Sequence, residues 1–258
     1  MLSAAGPPPG AGSLADTALR ALRPAAGACL AAVALVVLPA AALVAGAPLL
    51  PATARLPVRV GLPALAALLA VAAGIRTIAD AGVGSPPSAL SVLRVTARRL
   101  PALVTVTAVG TVEVAAGLLL LVLPGLARLS SLQVALPVLL LEEAGPRQAL
   151  RRTRVLMRST ERVALRAQAV LTLVALAAAA LPVALLLLAL PRPAGGSDAV
   201  AEVRLVLAGA ITAAAVLPCW AAGQFAVFLS RRERLEALDL QLELQRLGAT
   251  PLPLVVAA

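Results

Sequence analysis

LSSLQVALPVLLL, Leu129–Leu141, is the stretch on which the fold turns. Five other apolar stretches are long enough to cross a bilayer, and whether this one crosses too decides the side on which all later residues lie. Its thirteen residues carry no charge. Extended back to Gly125 and forward to Glu142 it reaches eighteen residues, or about 27 Å at a rise of about 1.5 Å per residue, close to the lower limit for a span.

Arginine placement resolves the question. With six crossings and an internal N-terminus, seventeen of the twenty-two arginines fall on the internal side. The external side keeps Arg55, Arg59, Arg128, Arg192 and Arg204. That bias has the direction of the positive-inside rule. If Leu129–Leu141 did not cross, the arginines around Arg98 and those around Arg151 would lie on opposite faces and the bias would weaken. The sequence therefore predicts an all-α polytopic membrane protein with six transmembrane helices, at 25–47, 58–79, 101–123, 125–142, 167–190 and 205–229, plus cytoplasmic amphipathic helices.

Composition points the same way. The chain is 61% hydrophobic and 13% charged, with a mean hydropathy of +0.99, against roughly 45–50% and 25% in soluble domains. A soluble fold has no means of hiding so much apolar surface. Lys, His, Tyr and Asn are absent and every basic residue is Arg, a bias expected of a GC-rich bacterial genome. The expected location is a bacterial inner membrane, with both termini cytoplasmic. The net charge of +10 belongs to loops rather than to a basic stripe interleaved with aromatics, so no nucleic-acid partner is expected. The expected partners are membrane lipids, anionic ones included, and a protein at the cytoplasmic face. The sequence leaves the oligomeric state open.

Outside the spans, residues 1–12 read as a disordered Pro, Gly and Ala tail, 13–247 as a single membrane domain and 248–258 as a second tail. Ser13 reads as an N-cap with Asp16 in the first turn, opening a short interfacial helix that presents Arg20 and Arg23. After Gly145-Pro146 a helix is expected over 146–163, since proline suits the first helical position. At 100° per residue Arg147, Arg151, Arg154, Arg158 and Arg162 fall within about 80° of one another, and Ala149, Leu150, Thr153, Leu156, Met157, Thr160 and Val163 take the other side. This arginine stripe is the candidate surface for anionic lipid head groups or an acidic partner, each basic residue near an anionic surface contributing about 1 kcal/mol. A last helix, 230–247, balances its arginines with Glu233, Glu236, Asp239 and Glu243 and stops at Gly248.

Glu113, midway along the third span, is the candidate intramembrane polar site. A carboxylate there must face the bundle interior, find a donor or stay protonated. The other spans offer Gln133, Gln168, Thr172, Thr212 and Gln224, read as isolated. Cys29 and Cys219 fall inside spans without CxxC spacing and without any His to share a metal, and read as packing residues.

No catalytic constellation is legible. The spans lack GxSxG, HExxH and a paired aspartate, and no GxGxxG or P-loop is present to hold phosphate. Glu142-Glu143 read as an end-of-span pair that neutralises nearby arginines. No cofactor and no enzymatic activity are expected.

Three polar segments carry a family resemblance. They are Ser13-Leu14-Ala15-Asp16-Thr17-Ala18-Leu19-Arg20, then Leu139-Leu140-Leu141-Glu142-Glu143-Ala144-Gly145-Pro146 with Ala149-Leu150-Arg151-Arg152-Thr153, and Arg231-Arg232-Glu233 with Leu238-Asp239-Leu240. In this order they resemble the bacterial family named for the glycerophosphodiester phosphodiesterase membrane domain, from Leu14 to about Leu244. The resemblance implies a six-helix membrane domain of unestablished activity, joined in some proteins to a cytoplasmic phosphodiesterase. With no His in the chain, that enzyme's metal-assisted acid/base chemistry does not carry over. The functional expectation is a non-enzymatic scaffold, regulatory or lipid-interacting membrane domain. The alternative is a small-molecule, lipid or ion transporter using Glu113.

Overall fold

The computed structural model describes residues 10–47, 51–84, 88–120, 122–157, 161–189 and 198–246. Among them it is all helix with no strand: α1 (Ala11–Ala45), α2 (Ala52–Leu56), α3 (Leu62–Gly82), α4 (Ala89–Arg98), α5 (Leu100–Leu120), α6 (Val122–Leu141), α7 (Pro146–Met157), α8 (Glu161–Ala189) and α9 (Asp198–Arg246). A single π-helical turn, Pro57–Gly61, leads from α2 into α3. Within the described residues five helical segments are long and apolar enough to cross a membrane: Gly12–Ala45, Thr53–Gly82, Leu100–Gly117, Val163–Leu188 and Val203–Leu235. The protein is therefore a helical membrane protein. In α6 the apolar stretch is Ser131–Leu141, although α6 as a whole has 20 residues, or about 30 Å.

Small residues set the core. Cys29 on α1 donates its thiol hydrogen to the Gly74 carbonyl of α3 at 3.7 Å, and further along Val33 packs with Ala70, so α1 and α3 are antiparallel. On another side of Gly74 lies α9. A Cβ added at Gly74 would stand 2.8 Å from the Ala221 Cβ, closer than two carbons approach, so only glycine admits α9 this near. α8 then runs antiparallel to α9, with Gln168 beside Gly223 at one end and Arg204 donating to the Leu187 carbonyl at 2.7 Å near the other.

These pairings place the start of α1, the end of α3, the start of α8 and the far part of α9 at one end of the bundle. That end carries Arg20, Arg23, Arg76, Arg166, Arg231, Arg232 and Arg234, and the opposite end carries Arg55, Arg59 and Arg204. Among these four helices the arginines thus lie mostly at one end.

Several local expectations change. Ser13 does not cap a helix, because α1 already starts at Ala11 behind Gly10, and the Ser13 hydroxyl donates to the Gly10 carbonyl instead. The interfacial helix and the first span form one 35-residue helix that continues through Pro24 and Pro39. Proline removes one backbone donor there and leaves the rest of the ladder intact. Val122 and Leu123, expected at the end of the third span, belong to α6. Unchanged is the expectation that the polar helix after Ser230 continues from the last span: the two form one helix, α9, in which Pro218 is internal. Of the expected tail 1–12, Ala11 and Gly12 belong to α1; residues 1–9, the Gly248 stop and the tail 248–258 lie outside the described residues.

Candidate functional site

The site is built on a hairpin. Arg99 donates to the Leu139 carbonyl at 3.0 Å, a Cβ at Gly110 would collide with the Leu132 side chain, and Arg128 stands 3.9 Å from Glu113. These partners come closer in sequence toward residue 121, so α5 and α6 are antiparallel arms. α6 ends with Glu142 donating its backbone N–H to the Val138 carbonyl. Glu143 follows in the left-handed region at φ 53°, where a side chain costs roughly 1–2 kcal/mol, and its carboxylate pairs with Arg99 at 3.2 Å.

That turn sends α7 back against the hairpin. As the sequence predicts, α7 opens at Pro146. Its apolar side is buried through Ala149, Thr153, Leu156 and Met157, and the Thr153 hydroxyl is satisfied by the Ala149 carbonyl at 2.8 Å. The helix is described only to Met157, shorter than the expected 146–163. Arg158 lies outside the described residues, and Arg162 belongs to α8 with its side chain outside them.

The rest of the arginine stripe divides in two. Arg154 donates to the Glu113 carboxylate at 2.5 Å. Arg152, one position off the stripe, pairs with Glu142. Arg147 and Arg151 are exposed and have no carboxylate partner among the described residues. The two candidates that the sequence kept apart, the stripe and Glu113, are therefore joined by one ion pair.

This corrects the expected surroundings of Glu113. Its side chain is 31% exposed, and its partners are Arg154 and Arg128 rather than a glutamine or threonine of another span. A small cleft beside it is lined by Ser131, Leu132 and Ala135 of α6 and by Leu150 and Thr153 of α7. Arginine placement in the sequence put Arg128 and Arg154 on opposite membrane faces, yet the structure brings both guanidiniums to one carboxylate. The physical reason is the folding back of α7, which side-by-side loop counting does not represent.

The glutamines are also not isolated. Gln133 and Gln224 are buried and meet where α6 faces α9. With the Gln224 amide oriented as its neighbours require, its nitrogen donates to the Gln133 main-chain carbonyl at 3.2 Å and its oxygen accepts from the Trp220 indole N–H at 2.6 Å. Nothing in the spacing of these residues announces the contact. The one available signal was compositional, since Trp220 is the only tryptophan in the chain.

Cys29 is buried, in keeping with a packing role. Among the described residues no three His, Cys, Asp or Glu side chains gather to hold a metal ion. No protein-family model, curated protein or solved structure matches the chain.

Proposed function

We propose that this protein is a non-enzymatic integral membrane domain, crossing a bacterial inner membrane six times, that engages anionic lipid head groups through its arginine-rich cytoplasmic end. The observation that carries the reading is the division of α7. Its apolar side is buried and Arg152 and Arg154 are held by carboxylates, while Arg147 and Arg151 stand exposed without a carboxylate among the described residues. Guanidinium groups left free at a membrane surface are donors matched to phosphate oxygens. Arg20, Arg23 and Arg166 are exposed at the same end of the bundle and extend the positive field. The resemblance to the glycerophosphodiester phosphodiesterase membrane-domain family supports a six-helix membrane domain of unestablished activity.

In this reading Glu113 has a structural task. Its charge, expensive near hydrocarbon when alone, is matched by Arg154 and Arg128 and fixes α7 to the hairpin.

Native mass spectrometry of the detergent-solubilised protein tests the proposal. The wild type is expected to retain phosphatidylglycerol in preference to phosphatidylcholine, and Arg147→Glu with Arg151→Glu to lose that preference. Equal retention of the two lipids by the wild type would contradict the reading.

A further inference from the structure

The helices that close on one another at Gly74 leave room between them toward the other end of the bundle. From Gly74 and Ala221, α3 and α9 run toward the end that carries Arg55, Arg59 and Arg204, with α1 against both. Val33 and Val37 of α1 pack there with Ala70 of α3 and Ala210 of α9. Around and beyond that cluster the helices face one another with Ala40 and Ala41, with Ala66 and Ala67, and with Gly209 and Ala213. Side chains this short do not meet, and a recess of about 260 Å³ remains, open on one side. A Cβ added at Gly209 would have no atom within 4 Å, so the space before it is unfilled.

Every side chain that lines the recess is apolar. Along α9 it extends from Leu217 to Val206, about 16 Å at a rise of about 1.5 Å per residue. That is half of a hydrocarbon core about 30 Å thick, the depth of one leaflet.

These dimensions select the occupant. Water finds no side-chain partner in such walls, and a buried water seeks about two to four polar groups. The volume, spread over that length, makes a slot far narrower than a helix of about 10 Å diameter, so a helix of a second copy does not enter. Left empty, the lining forfeits its dispersion contacts. The surrounding bilayer supplies one component of the right length, width and chemistry, a single acyl chain. The phosphate above such a chain comes to the end of the recess where Arg59 is exposed, in the π-helical turn just before Pro63 of the lining, and a guanidinium matches phosphate oxygens.

We propose that this recess binds one acyl chain of a phospholipid from the leaflet at the arginine-poor end, selected by chain length and not by the net charge of the head group. The site is separate from the arginine surface of α7 and does not depend on it.

Native mass spectrometry of the full-length protein tests this in a steroid-based detergent, which brings no alkyl chain of its own. The probes are palmitoyl lysophosphatidylcholine and its hexanoyl counterpart, which share a zwitterionic head group and differ only in the chain. The wild type is expected to retain one palmitoyl lipid, saturably, and no hexanoyl lipid. Gly209→Leu, which fills the recess from α9, should lower palmitoyl occupancy about tenfold or more, the effect of about 1.4 kcal/mol. Ala67→Leu fills it from α3, should act alike, and decides the matter if Gly209→Leu fails to fold. Ala178→Leu, which adds the same kind of bulk on the exposed side of α8, should leave occupancy unchanged. Equal retention of both probes would overturn the proposal. So would unsaturable binding of several lipids, retention that persists in folded Gly209→Leu or Ala67→Leu protein, or a dimer in place of the lipid complex.

Discussion

The seam where α1, α3 and α9 meet and the unit formed by α5, α6 and α7 are both made of apolar helices, but they are held together by different means. At the seam the helices approach until Gly74 nearly touches Ala221 and the Cys29 thiol reaches the Gly74 carbonyl. Dispersion contacts supply the attraction, and no charge takes part. In the second unit, carboxylates join the pieces: Glu113 with Arg154 and Arg128, Glu142 with Arg152, and Glu143 with Arg99. One region should respond to volume and the other to charge and salt.

Volume at the seam should have the largest effect. Gly74→Leu forces α3 and α9 apart, because the obstructing atom is an alanine Cβ that has no rotamer to yield. A destabilisation of about 3 kcal/mol is expected, the upper part of the usual range for overpacking. With the partly exposed Cys219 replaced by alanine, a thiol-reactive dye reads it directly, since Cys29 is buried at the seam and labels only when the helices separate. The milder Gly74→Ala should still lower the midpoint, whereas Gly223→Ala should cost less. The atoms it meets are the ends of the Gln168 and Leu171 side chains, which can turn aside.

The charge-held unit should show a smaller effect with a different signature. Glu113→Gln and Arg154→Gln, measured singly and together as a double-mutant cycle, should couple by about 0.5–1 kcal/mol, the upper part of what partly exposed pairs give. Raising the salt concentration should shrink that coupling and leave the Gly74 variants unchanged. A coupling indistinguishable from zero at low salt would mean that the pair does not hold α7 in place.

The two regions also differ in how far the sequence revealed them. The apolar runs at 25–47, 167–190 and 205–229 disclosed their helices directly, because length and composition alone define such segments. Pro146 disclosed the start of α7, and its 100° periodicity disclosed the buried face formed by Ala149, Thr153, Leu156 and Met157. What periodicity does not carry is the identity of the facing partner. Glu113 and Arg154 are separated by 41 residues, and their meeting depends on the antiparallel pairing of α5 with α6 and on the turn at Glu143, whose positive φ no glycine announced. Gln133 and Gln224 were individually visible as polar residues in spans. Their contact required knowing that α6 faces α9. Ser13 was misread as a cap because its local motif competes with a longer helix that starts at Ala11.

The smallest effect on stability should come from the free arginines. Arg147→Gln with Arg151→Gln removes two exposed groups without a carboxylate partner among the described residues, and the thermal midpoint should stay within the change of about 0.5 kcal/mol usual for surface substitutions.

That variant also supplies the most direct test of the account, when set beside Arg152→Gln with Arg154→Gln, which removes the same number of charges from the same helix. Native mass spectrometry of phosphatidylglycerol bound to each protein is the measurement. The account predicts that Arg147→Gln with Arg151→Gln loses bound anionic lipid, while Arg152→Gln with Arg154→Gln retains it. Equal loss in both would show that lipid binding follows total charge rather than the free guanidiniums of α7, and would contradict the division on which the functional reading rests.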